Sequence, residues 1–156
     1  ACYHGPDGLR RIAERVRRTA TAFERGCRRL GLATGAAPFF DTVRVDCGAE
    51  RRRTILKAAA AAKVNLRALG KDGLTVSFDE ATTAQDVAVL LAVMNGGTAV
   101  PFAVEELAAD APAALPAGLA RTSAYLAHPV FHRYHSEHEL LRRLLTIRLE
   151  EVAPHA

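Results

Sequence analysis

With 156 residues, 49% of them hydrophobic, the chain has enough apolar material for one folded domain, or most of one. Its charged fraction of 24% is ordinary, and no apolar run approaches the roughly 18 residues of a membrane-spanning helix, so no membrane role is expected. The formal net charge of +4 comes almost entirely from arginines set opposite apolar helical stripes. No basic patch is interleaved with aromatics, so no nucleic-acid partner is expected. Ala1 is followed by no charged and then apolar leader, so no targeting segment is expected, and the missing initiator Met suggests an excerpt from a longer protein. The three cysteines, Cys2, Cys27 and Cys47, are far apart and not in C-x-x-C form, which predicts reduced, partly buried thiols in a cytosol-like compartment.

Gly5-Pro6 opens the first predicted helix, with Pro where a missing N–H costs nothing. Leu9, Ile12, Ala13, Val16, Ala20, Phe23, Cys27 and Leu30 recur at steps of three and four on one face. Arg10, Arg11, Arg17, Arg18, Arg25 and Arg28 lie mostly off that face and are expected in solvent, and Gly31 and Gly35 close the helix. Phe39 to Cys47 alternates as a strand, and Glu50 to Lys63 is an Ala-rich helix. Val64, Leu66 and Ala68 form a second strand, Gly70-Lys71-Asp72-Gly73 a hairpin turn, and Leu74, Val76 and Phe78 a third strand. Thr82-x-x-Gln85 has the form of a capping box before Val87, Leu90, Leu91 and Met94, and Asn95-Gly96-Gly97 stops that helix. Pro101 to Pro116 is expected to be irregular, with a short helix at Val104 to Ala108. Ser136-x-x-Glu139 is a second capping-box pattern and opens a last helix containing Leu140, Leu141, Leu144 and Leu145.

The predicted class is α+β: a small antiparallel sheet with helices on one face over residues 1–97, then an irregular connector and C-terminal helix over 98–156. A doubly wound nucleotide-binding fold is excluded by the lack of G-x-G-x-x-G after a strand.

Few residues suggest chemistry. His132, His135 and His138, with Glu137 and Glu139, have ligand-type side chains, but the spacing is not H-E-x-x-H and Ser136 as a cap would split the rings between loop and helix, so no metal site is expected. His4 precedes the first helix, where packing and capping are the expected roles, and Asp79 and Glu80 precede a helix start, where negative charge favours the dipole. No G-x-S-x-G elbow is present. Lys57, Lys63 and Lys71 occupy a helix interior, a helix end and a turn, none suited to a desolvated Schiff-base amine. The residues by themselves describe a non-catalytic α+β domain, one form of which would be a free-standing ligand-binding or regulatory module using its sheet face.

The densest polar and aromatic stretch is Arg121-Thr122-Ser123-Ala124-Tyr125-Leu126-Ala127-His128-Pro129-Val130-Phe131-His132-Arg133-Tyr134-His135-Ser136-Glu137-His138-Glu139, holding four of the six histidines. It resembles the RTSxYLTHPVFNxYHSExE segment of the glycine cleavage system P-protein family. Tyr3-His4-Gly5-Pro6-Asp7-Gly8-Leu9, Ile12-Ala13-x-Arg15-Val16, Phe39-Phe40-Asp41-Thr42, Asn65-Leu66-Arg67 and Ser77-Phe78-Asp79-Glu80-Ala81-Thr82-Thr83 resemble further blocks of that family in the same order. Ala81 and Ala127 stand for the usual Thr, Arg17 where His is common, and His132 and His138 for the usual Asn and Thr.

The resemblance implies a fragment of a glycine dehydrogenase (decarboxylating), an oxidoreductase that uses pyridoxal phosphate to decarboxylate glycine and passes the aminomethyl group to the lipoyl arm of the H-protein. It implies the end of the cofactor-free first half, like the C-terminal small domain of fold-type-I pyridoxal-phosphate enzymes. The cofactor lysine would then lie outside the chain, which would be inactive alone, with no catalytic, cofactor or metal residue of its own. Partners would be the catalytic half or subunit and the H-protein, in a dimeric or heterotetrameric parent, in the bacterial cytoplasm or the mitochondrial matrix. Arg121, Tyr125, His128, Tyr134, His135 and Glu137 are then the expected contact surface toward the catalytic half.

Overall fold

The computed structural model describes residues 1–35, 38–109, 111 and 115–152. Its elements are α1 (Gly5–Arg29), β1 (Ala33–Thr34), β2 (Thr42–Asp46), α2 (Ala49–Ala61), β3 (Arg67–Leu69), β4 (Gly73–Ser77), α3 (Ala84–Met94), α4 (Val104–Ala109), α5 (Val130–Arg133) and α6 (Glu137–Val152). By internal contacts the chain forms two compact units, one of Ala13–Ala120 and one of Ala1–Ile12 with Arg121–Ala156. No helix among the described residues is long and apolar enough to cross a membrane.

The larger unit is the expected α+β arrangement. Its four strands form one antiparallel sheet in the order β1-β2-β4-β3. In β2 the buried Val43 and Val45 alternate with exposed Thr42 and Arg44, and the register sets Val43 opposite Val76 and Val45 opposite Leu74. Because strand side chains alternate between faces, this pairing puts all four on one side, where helices cover them. The other side is polar: the Thr42 and Ser77 hydroxyls lie 2.9 Å apart and Arg44 pairs with Asp46 at 2.9 Å.

The core joins helices to the buried sheet face. Phe23 of α1 meets Phe78 just after β4, ring centroids 5.2 Å apart. Ile55 and Ala59 of α2, and Val87, Leu90, Leu91, Val93 and Met94 of α3, complete it, and α2 packs on both α3 and β4. Each fully buried large residue, such as Phe23, Ile55, Leu91 or Met94, contributes about 1.5–3 kcal/mol of transfer free energy. Gly26 lets α1 and α3 approach closely, since a Cβ there would lie 2.5 Å from a Leu91 methyl. Cys27 is fully buried, and burial, followed by nearby Glu24, pushes its thiol pKa up, so it packs as a neutral side chain.

Three local expectations are corrected. The two-residue β1 adds a fourth strand, and it docks through Thr34, whose hydroxyl donates to buried Glu24 at 2.7 Å. The cap of α3 is Thr83, not Thr82: the Thr83 side chain accepts from Asp86 N at 3.2 Å, and Asp86 accepts from Thr83 N at 2.8 Å. Arg17 is not in solvent. It is buried, with its guanidinium carbon 4.2 Å from the centre of the Phe39 ring, and desolvation lowers its pKa. α2 begins after Gly48 with no side-chain cap, consistent with a helix sustained by its alanines, and α4 falls where a short helix was expected. The irregular connector at 101–116 lies partly outside the described residues.

Candidate functional site

The smaller unit holds the polar and aromatic segment and the first turn of α1. Gly5 anchors the arrangement. Its φ of +62° lies in the left-handed region, and a Cβ there would stand 2.9 Å from the Phe131 carbonyl oxygen and 3.1 Å from His135 Cε1. Only glycine meets both demands, so the Tyr3-His4-Gly5-Pro6 turn can lie directly against residues 131–135.

Three hydrogen bonds then fix the groups. The Tyr125 hydroxyl donates to the Pro6 carbonyl oxygen at 2.6 Å. His135 Nδ1 lies 3.2 Å from the Tyr3 carbonyl oxygen, and His132 Nε2 lies 3.0 Å from the Leu126 carbonyl oxygen. A carbonyl only accepts, so the proton is assigned to Nδ1 of His135 and to Nε2 of His132. Tyr3, His4, Arg11, His132 and His135 line an open cleft of about 410 Å³ beside this turn.

The remaining expected contact residues are distributed differently. Arg121 donates to Ser123 Oγ at 3.0 Å and lies 5.6 Å from the Tyr125 ring centre. His128 Nδ1 accepts from Val130 N at 3.2 Å, which satisfies the first N–H of the one-turn helix α5, an element with Pro129 as its N-cap that periodicity did not predict. Tyr134 lies in a second cleft, with Arg133, Glu139, Arg142, Arg143 and Thr146. Glu137 sits in the first turn of α6, where the dipole favours its charge. Only half of the Ser136 box forms: Ser136 Oγ accepts from Glu139 N at 3.3 Å. The structure thus brings Tyr125 and His135 to the α1 turn, with Arg121 beside the Tyr125 ring, and leaves His128, Tyr134 and Glu137 outside that cluster. Sequence reasoning missed the Arg133–Arg142–Arg143 cleft, although the Arg142-Arg143 doublet beside leucines was a visible sign of it.

Other candidates have structural roles. Asp79 Oδ1 accepts from Ala81 N and Thr82 N, both at 3.0 Å, and from the Thr82 hydroxyl at 2.9 Å. The Thr82 bond leads in pulling its pKa down, so Asp79 is an ionised turn anchor. Among the described residues no group of three or more His, Cys, Asp or Glu side chains is arranged to hold a metal ion. Lys57, Lys63 and Lys71 are all exposed. An amine that forms a Schiff base needs desolvation or a neighbouring cation to lower its pKa, so these lysines do not fit a covalent pyridoxal phosphate site.

Comparison with known proteins adds a second line of observation. A family model described as glycine cleavage system P-protein matches residues 1–94. The chain is 42% identical over 152 residues to the mitochondrial glycine dehydrogenase (decarboxylating) of Flaveria anomala, covering 97% of the chain and 14% of that relative. It is 42% identical over 154 residues to glycine dehydrogenase (decarboxylating) 1 of Arabidopsis thaliana, covering 98% and 15%. For the Pisum sativum protein the identity is 41% over 153 residues. The chain therefore spans only 14–15% of the length of the first two relatives.

Proposed function

The chain belongs to the glycine cleavage system P-protein family, and we propose that it is the closing part of the cofactor-free half of such a protein, packing and positioning a catalytic half that lies outside it. The parent on this reading is a glycine dehydrogenase (decarboxylating). It would use pyridoxal phosphate as the electron sink for loss of the glycine carboxyl group and pass the aminomethyl group to the lipoyl arm of the H-protein. The cofactor would bind outside this chain. The parent would be a dimer or a heterotetramer, in the bacterial cytoplasm or, like its plant relatives, in mitochondria.

One observation carries the reading. The chain aligns with glycine dehydrogenases over 97% of its length, yet every lysine it holds is exposed. What it would contribute is shape: a helix start clamped to Tyr125 and His135 with Arg121 beside them, and, outside that cluster, His128, Tyr134 and Glu137 as separate contacts to the catalytic half. Alanine at His135 or at His128 in the parent enzyme is expected to lower glycine decarboxylation or to shift the assembly state. Wild-type turnover and oligomer size in both variants would remove the positioning role.

A further inference from the structure

One face of α6 gathers positive charge that the described residues do not answer. Glu139, Arg142, Arg143 and Thr146 stand at i, i+3, i+4 and i+7, so they share that face. Arg133, the last residue of α5, and Tyr134 after it complete an open cleft of about 330 Å³ with Glu139 as its only acid. Arg143 and Tyr134 are half-buried there, while Arg133 and Arg142 are exposed. Among the described residues none of the three arginines has a carboxylate within 4.0 Å.

The chemistry of the cleft selects its occupant. Three guanidinium groups lining one cleft repel one another until an anion is supplied. Each presents a planar fork that fits a carboxylate with two parallel hydrogen bonds. Arg and Tyr are also the side chains most enriched where proteins dock on one another. The cleft is open, unlike the enclosed pockets that bury most of a small ligand. Nucleic acid fits less well, since such binding draws on an extended basic surface with several phosphate contacts, and a carboxylate sits within this short one.

We propose that the Arg133–Arg142–Arg143 cleft docks an acidic segment, with at least two carboxylates, supplied by the part of the parent protein outside this chain. The proposal deepens the family reading above and rests on it. The chain spans 14–15% of its relatives, so that reading places most of the parent's carboxylates outside it. A second copy of the same cleft does not suit, since like charge would meet like.

The test uses a carbodiimide, which joins an amine to a carboxylate only where the two already touch. Arg142→Lys in the full-length parent keeps the charge and introduces that amine, and Glu139→Gln in the same protein removes the neighbouring carboxylate. After digestion, position 142 is expected to be linked to an Asp or Glu on a peptide outside these 156 residues. The exposed Lys71 is the control and should not reach that peptide. If this variant does not accumulate, Arg133→Lys places the amine on the other wall of the cleft and should find the same peptide. Adding Arg142→Glu and Arg143→Glu to the Arg133→Lys protein should cut the linked yield roughly tenfold or more, as for like charges opposed across an interface. Links that land only within these 156 residues, no link from either position, or a yield indifferent to charge reversal would each overturn the proposal. The link reports contact whether or not the parent turns over glycine, so a failed docking leaves the family reading standing.

Discussion

The Tyr125 hydroxyl donates to the Pro6 carbonyl oxygen at 2.6 Å across 119 residues of sequence. That single bond ties the segment after Arg121 to the start of α1. Tyr125→Phe keeps the ring and removes the donor, so it should cost about 1 kcal/mol, the net value of one such bond. Amide hydrogen exchange at residues 3–9 should speed up in the variant, while exchange in β2 and β4 stays unchanged. Unaltered exchange at residues 3–9 would show that the bond does not hold the turn.

Gly5 is the more severe site. Gly5→Ala must accept a positive φ and a Cβ 2.9 Å from the Phe131 carbonyl oxygen. The backbone conformation alone costs of order 1–3 kcal/mol, and the clash adds to it. Calorimetry should show a lowered unfolding temperature. Gly31→Ala is the matched control, with positive φ but nothing within 4 Å of the new Cβ, and should lose less.

Arg17 gives a prediction of opposite sign. Its Nε and Nη1 are buried without a hydrogen-bond partner while the guanidinium covers Phe39. Arg17→Met keeps the apolar cover and removes a poorly satisfied buried charge, so stability should be unchanged within about 1 kcal/mol or raised. Phe39→Ala should destabilise. A marked loss in Arg17→Met, read by denaturant titration, would mean that the charge is satisfied in solution.

The acid side of the stability profile follows from Asp79 and Asp86. Both have pKa values lowered by bonds that the charged form accepts, led by the Thr82 hydroxyl for Asp79 and the Thr83 hydroxyl for Asp86. A folded pKa below the unfolded one adds stability that is present above the unfolded value, about 3.9 for Asp, and is lost as pH falls through the folded value. Thr83→Ala removes the cap and should cost about 0.5–2 kcal/mol near neutral pH. Part of that difference from wild type should fade as the pH is taken below the usual carboxylate range. A difference that is constant from neutral to strongly acidic pH would refute the linkage.

The sheet and long helices were legible because their signals are local. Val43 and Val45 alternate with Thr42 and Arg44, and Val16, Ala20, Phe23 and Cys27 repeat at helical steps. β1 was not legible because two residues carry no period, and its antiparallel pairing with β2 and the Thr34–Glu24 bond are both non-local. The α3 cap was misplaced by one residue because Thr82 and Thr83 both suit the role, and only the Asp86 carboxylate selects between them. Arg17 lies off the apolar stripe, and nothing local indicates that Phe39 will fold over it. The candidate site was legible as composition and motif, not as geometry: the pairing of His135 with Tyr3 spans 132 residues, and periodicity holds no information at that range.

The central claim is that this chain supports a reaction whose amine lies elsewhere. Lys57, Lys63 and Lys71 can all be replaced by arginine in the full-length parent, and the pyridoxal phosphate absorbance and glycine decarboxylation of the purified protein then measured. Both should match wild type. A folded triple variant without the lysine–cofactor absorbance band would place the reactive amine within these 156 residues and contradict the account.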